Sequence, residues 1–187
     1  MSRTPTANRV RIIGGEWRSR ILRFPPVEGL RPTGDRIRET LFNWLGQDLT
    51  GRAVLDLFAG SGALGFEAAS RGARHVLMVE RDTAVARVLE ENRLLLDAAA
   101  VEIRRGEAMA FLRTVERRYD AVFLDPPFDA GLLPKVLVAL PRHLAPGALV
   151  YVEAARLPAF GAAWTQFRRG KAGQVEYALI QQGQPAP

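Results

Sequence analysis

The run Val54-Leu-Asp-Leu-Phe-Ala-Gly-Ser-Gly-Ala-Leu-Gly65 constrains this chain more than any other stretch. A short apolar segment gives way at once to glycines and then to a helical pattern, so it must be a buried strand turning tightly into a helix. The unit then repeats. Apolar runs predict strands over 53–58, 75–80, 101–105, 119–124 and 148–152, and helical spacing predicts helices over 63–70, 83–96, 107–118 and 132–144. Strands alternating with helices imply a mostly parallel sheet covered on both faces. Two further strand patterns, over 163–168 and 175–181, are joined only by Arg169-Gly-Lys-Ala-Gly173, which predicts an antiparallel hairpin at the edge. The expected fold is α/β and Rossmann-like, a mostly parallel seven-stranded sheet with an antiparallel edge hairpin.

Ahead of the sheet lies a different kind of segment. Arg9-Val-Arg-Ile-Ile13 and Arg18-Ser-Arg-Ile-Leu-Arg-Phe24, around Gly14-Gly15-Glu16-Trp17, read as a small β-hairpin with a glycine turn. Ile37, Leu41, Trp44 and Leu45 then recur at helical spacing, bounded by Asp35 and Gly46. The chain therefore divides into a hairpin-and-helix extension over 1–51, an α/β domain over 52–183 and a frayed tail over 184–187.

The net charge is +6, and residues 1–23 hold Arg3, Arg9, Arg11, Arg18, Arg20 and Arg23 against Glu16 alone. Nearly all of the basic excess thus sits at one end. Clustered arginines neutralise phosphates and fork onto base edges, which points to a nucleic-acid partner, with Arg9, Arg11, Arg18, Arg20, Arg31 and Arg36 as candidate contacts. A solvated basic tail is the alternative, since Lys135 and Lys171 are the only lysines and the whole chain favours arginine. Arg31, Arg36 and Arg38 can grip phosphates or lie over a cofactor, but pairing within the helix to Asp35 or Glu39 is an equal alternative. The chain has no cysteine, and His75 and His143 are far apart, so thiolate chemistry is excluded and no metal is expected. No apolar run approaches the roughly 18 residues of a membrane span, and residues 1–11 lack the apolar stretch of a signal peptide. A cytoplasmic protein without a membrane partner is expected, and a monomer.

Gly60, Gly62 and Gly65 form a G-x-G-x-x-G pattern between strand and helix, which by itself suits a dinucleotide as well as S-adenosylmethionine (SAM). Asp56 tilts the choice. A carboxylate at the end of the first strand repels a pyrophosphate but complements the cationic amino group of SAM, directly or through the backbone and water around it. Glu80 ends the second strand, where a carboxylate accepts from ribose hydroxyls. Glu107 follows the third strand and can accept from an adenine amine or serve only as an acid near a helix start. Phe58, Arg81 and Ala108, beside these positions, complete the expected cofactor set.

Asp125-Pro126-Pro127-Phe128 follows the fourth strand, at the edge where such sheets bind ligands. Two prolines fix the backbone and leave carbonyls free, Asp125 adds an acceptor and Phe128 a stacking face. Such a set suits an exocyclic amine on a planar base, which would be unstacked or already unpaired to reach it. The bland alternative is an Asp-Pro turn that merely closes a strand.

With Arg11-Ile-Ile-Gly-Gly15, Leu30-Arg-Pro-Thr-Gly-Asp-Arg-Ile-Arg-Glu-Thr-Leu-Phe-Asn-Trp-Leu45, the glycine loop and Asp125–Phe128, nearly the whole chain resembles the RsmD family. These are bacterial enzymes that methylate the N2 amine of one guanine in 16S ribosomal RNA. The resemblance implies a class I SAM-dependent methyltransferase fold, SAM held at Asp56, Gly60, Gly62 and Glu80, and guanine at Asp125 and Phe128. It also implies 16S ribosomal RNA as partner, within an assembled or partly assembled 30S subunit. Family members more often have Asp where this chain has Glu107. The residues alone leave open an adenine-N6 methyltransferase on DNA or RNA, a nicotinamide-dependent oxidoreductase, and a non-enzymatic RNA-binding assembly factor.

Overall fold

The structure, a computed structural model, describes residues 8–127 and 131–183. The sheet runs through β3 (Ala53–Asp56), β4 (His75–Glu80), β5 (Val101–Arg105), β6 (Tyr119–Leu124), β7 (Leu144–Ala154), β8 (Trp164–Ala172) and β9 (Val175–Gln182), in the order β5-β4-β3-β6-β7-β9-β8. Neighbours from β5 to β7 pair in parallel, while β9 runs antiparallel to both β7 and β8. The expected edge hairpin is therefore present, with its second strand tucked inside. Because the strand order reverses between β3 and β6, a crevice opens beyond their carboxyl ends.

The helices that cover the sheet are α2 (Ala63–Ser70), α3 (Thr83–Leu95), α4 (Ala108–Thr114) and α5 (Leu132–Ala139). Two differ from the expected lengths. The fourth ends at Thr114, whose hydroxyl back-bonds to the carbonyls of Ala110 and Phe111 before Val115 turns extended. The fifth stops before Pro141, where a single 3-10 turn over Pro141–His143 leads into a longer β7. Pro146 cannot donate to the ladder and Gly147 has φ 76°, and the β6–β7 register shifts at that point.

The extension packs as part of the same body. It contains β1 (Asn8–Arg11), β2 (Ile21–Phe24) and α1 (Asp35–Leu45), which ends on left-handed Gly46. Val10, Leu22, Phe24, Leu41 and Phe42 join Phe66, Val76 and Met78 in one core cluster, while α4 and α5 cover the other face. An aromatic line, Phe42 to Phe123 to Tyr151 to Tyr177 to Trp44, seats α1 on the sheet at centroid spacings of 6.0, 6.4, 6.3 and 5.5 Å.

The glycines of the hairpin do something other than turn it. Residues 12–20 make a broad connection closed by Ile12 N–H to the Arg20 carbonyl and Ser19 N–H to the Ile12 carbonyl. Gly15, at φ 74°, lies against α2 so closely that a Cβ would stand 1.9 Å from the Ser70 carbonyl oxygen. Buried Glu67 accepts from Ile13 N–H (2.8 Å) and Gly14 N–H (2.7 Å), and Ser70 Oγ accepts from Trp17 N–H (2.9 Å). Arg38, considered above as a phosphate contact, is wholly buried in this network, so it is unavailable to RNA. It donates to the Thr33 carbonyl (3.0 Å), Glu67 (3.3 Å) and Asp35 (2.5 Å).

Candidate active site at the strand ends

Asp56 closes β3 and is 2% exposed. Its Oδ2 accepts from Gly65 N–H at 3.0 Å and its carboxyl also takes the Phe58 N–H, so the carboxylate shapes the loop around itself. Leu57 N–H donates to the Phe123 carbonyl and Ala59 N–H to the Val79 carbonyl, pinning the loop between β6 and β4. Gly62, at φ 80°, has no room for a Cβ, which would meet Leu89 at 2.6 Å and Phe66 at 2.8 Å. Glu80 Oε2 accepts from Gly60 N–H (2.9 Å) while Oε1 accepts from Asp82 N–H (2.8 Å), so the expected ribose acceptor stands against the loop. Half-buried Phe58 and exposed Arg81 border the same place, and Glu107 is an exposed residue just before α4, next to buried Ala108.

Across the crevice, Asp125 follows β6, half-buried, with Pro126 buried and Pro127 exposed. Phe128 lies outside the described residues, as do residues 184–187. The last rung of the β6–β7 ladder pairs Leu124 with Val152, which brings Asp125 and Glu153 to neighbouring positions just beyond it. Burial pushes the Asp125 carboxyl well above the carboxylate range, and the charges of Glu153 and Asp56 push it further. Glu153, 6% exposed, is also raised by burial. Asp56 is pushed up to about 7, again chiefly by burial.

The crevice is closed from above by the connector ahead of α1. Leu30 lies over the loop, 3.1 Å from where a Gly60 Cβ would stand, and the side chain of buried Thr33 faces Asp125 and Glu153 as a hydrogen-bonding partner of both. Thr33, Glu153 and Leu30 were not among the expected site residues. A signal for Glu153 exists in the sequence, because it ends an apolar strand just as Asp56 and Glu80 do.

Arg9, Arg11, Arg18, Arg20, Arg31 and Arg36 are all exposed. Arg11 reaches Asp35 (3.4 Å) and Arg20 the Leu95 carbonyl (3.3 Å), while among the described residues the other four side chains make no hydrogen bond. A groove of about 390 Å³ has Arg9, Arg20 and Arg23 around Ile21 and Leu95. Asn92 fixes its wall by holding both the N–H and the carbonyl of Arg23.

An acid whose folded pKa is raised binds more protons folded than unfolded, so stability falls as pH climbs from the unfolded to the folded value. For Asp56 that window runs from 3.8 to about 7 and carries on the order of 4 kcal/mol. Asp56→Asn is expected to gain on the wild type in urea denaturation as pH rises through this window. A stability gap that does not change with pH refutes it.

The family described as Conserved hypothetical protein 95 matches residues 10–181. The chain is 45% identical over 180 residues to the ribosomal RNA small subunit methyltransferase D of Escherichia coli (strain K12), spanning 94% of this chain and 91% of that protein. It is 42% identical over 187 residues to the protein of the same name from Haemophilus influenzae, spanning 95% and 97%. The solved structure of a putative methyltransferase, yhhF, from Escherichia coli matches with a TM-score of 0.85 at 46% identity, covering 94% of this chain and 98% of that one.

Proposed function

The chain belongs to the Conserved hypothetical protein 95 family, that of the RsmD methyltransferases, and we propose that it transfers a methyl group from SAM to the exocyclic N2 amine of a guanine in 16S ribosomal RNA. The observation that carries this reading is the convergence of three buried or half-buried carboxyls, Asp56, Asp125 and Glu153, at the mouth of a glycine loop. Desolvated acids pressed together call for a cationic ligand and repel a pyrophosphate, which disfavours a nicotinamide cofactor. SAM fits, since it brings an ammonium, and a sulfonium whose methyl is the electrophile.

The protein's residues divide the work. Asp56 holds the loop in shape through Gly65 and Phe58, and Gly60 and Gly62 give the backbone its close approach, with Phe58, Arg81, Glu107 and Ala108 around the adenosine end. Glu80 exchanges its contact with Gly60 for ribose hydroxyls. Asp125 and the Pro126 carbonyl accept the two amine hydrogens and so aim the nitrogen lone pair, with Pro127 and Phe128 bounding the base. As the N–C bond forms, the S–C pair stays on sulfur and the amine proton leaves to Asp125 or water. The α/β domain over 52–183 carries the transfer, and the extension over 1–51 grips RNA within an assembled or partly assembled small subunit.

Incubation with labelled SAM and small subunits that lack the modification, followed by mass spectrometric mapping, is expected to place the methyl on a guanine amine. Methylation of adenine, or calorimetry showing NAD bound and SAM not, overturns the reading. Replacing Arg9, Arg11, Arg18 and Arg20 with Ala is expected to weaken RNA binding and flatten its salt dependence by roughly 0.7 to 0.9 per lost phosphate contact. An unaltered affinity would make the hairpin structural.

A further inference from the structure

Asp125 and Glu153 are neighbours beyond the last β6–β7 rung, and two hydroxyls serve them. Tyr151 Oη donates to Glu153 Oε2 at 2.7 Å, which spends its one proton. Thr33 faces both carboxyls, yet a hydroxyl also has one proton to give. With both acids ionised, the Thr33 oxygen would meet two carboxylates while able to satisfy one. A single proton on the acids closes the array: the protonated acid donates to Thr33, and Thr33 donates to the other. Glu153, 6% exposed and under the Tyr151 hydroxyl, is the costlier of the two to ionise, whereas half-buried Asp125 opens on the crevice.

We propose that Glu153 is a positioning residue for methyl transfer: as a carboxylic acid it donates to the Thr33 hydroxyl, which donates to the Asp125 carboxylate and aims its free oxygen at the amine. The inference rests on the transfer reading above. The remaining groups that face the pair agree with a retained proton. Asp56 from β3 adds negative charge, Tyr177 from β9 stands beside Tyr151, and the Arg38 guanidinium is turned to the Thr33 carbonyl, Asp35 and Glu67. Burial and mutual repulsion raise Asp125, and burial raises Glu153. In the transfer step the N–C bond forms, the S–C pair goes to sulfur, and the amine proton passes to the ionised Asp125 and from there to water. Thr33 is itself fixed through its carbonyl by Arg38, so the N-terminal extension sets the angle of the acceptor.

Two readouts test this on the full chain. By infrared spectroscopy near neutral pH, the free protein is expected to show a carboxylic-acid carbonyl stretch that Glu153→Gln removes. With SAM and small subunits lacking the modification, the single-turnover rate of the wild type is expected to fall on a basic limb as Glu153 ionises. Glu153→Gln is expected to lose that limb, because its amide N–H donates to Thr33 at every pH. A band that persists in the variant, or pH profiles that superimpose, overturns the proposal. Should Glu153→Gln not fold, Thr33 decides: Thr33→Val is expected to slow transfer roughly 10²-fold or more with SAM affinity unaltered, and Thr33→Ser to restore it. Equal rates for Thr33→Val and Thr33→Ser overturn it as well. A wild type that transfers nothing would sink the function proposed above, whereas the infrared band is read without turnover and tests the proton alone.

Discussion

Asp125→Ala is expected to slow methyl transfer by roughly 10²- to 10⁴-fold while SAM binding, measured by calorimetry, stays within a few-fold of wild type. The separation follows from where the residue sits. Asp125 follows β6 and faces the Thr33 and Glu153 side of the crevice, whereas the expected cofactor contacts lie on the loop after β3 and at the end of β4. Stability should move the other way. Because Glu153 and Asp56 both push against its charge, Asp125→Asn is expected to unfold at higher urea than wild type near neutral pH while remaining slow. A site that destabilises its own fold is built for something other than folding. An Ala variant within ten-fold of the wild-type rate would remove Asp125 from the acceptor role.

Strands and helices could be read from the chain because their cause is local. The short apolar runs at 53–58 and 119–124 and the helical spacing of Ile37, Leu41 and Leu45 declare period and burial within a few residues. Asp56, Glu80 and Asp125 were legible for the same reason: each is an acid at a strand end in a fold whose ligands bind there. Thr33 was not, since its value depends on a connector crossing the sheet edge to meet residues from β6 and β7. Arg38 was misjudged by the same failing. An arginine on a helix between Asp35 and Glu39 reads as a surface cation, and only the approach of α2 reveals Glu67 waiting beneath it. The doubled glycines at 14 and 15 read as a turn because turns are the usual reason for glycine, whereas contact with Ser70 is the reason here.

Glu67→Ala carries the largest expected cost in stability, about 3–5 kcal/mol, because it removes the one acid to which two buried arginines turn. Arg38 is unexposed and Arg71 is nearly so; Glu67 lies 3.3 Å from the first and 2.8 Å from the second. Ala at this position leaves both guanidiniums short of a counter-charge, though Asp35 still reaches Arg38 and Phe42 lies under Arg71 at 4.7 Å. It also frees the N–H groups of Ile13 and Gly14, so the loop between β1 and β2 loses its anchor on α2. Set against the ~5–15 kcal/mol that holds a typical domain together, the loss is a large part of the whole. Glu67→Gln keeps acceptor geometry for one of the N–H groups without the charge and should fall between. Arg36→Ala, at an exposed position on α1, is the control and should stay within about 0.5 kcal/mol. Urea midpoints for the three variants test the ranking, and a Glu67→Ala midpoint no lower than that of Arg36→Ala would make the network incidental. The network also bears on the reaction, since Glu67 holds Arg38 and Arg38 holds the Thr33 carbonyl. Whatever fraction of Glu67→Ala remains folded is therefore expected to transfer more slowly per folded molecule than Arg36→Ala, the mark of an extension that shapes the acceptor site as well as packing beside it.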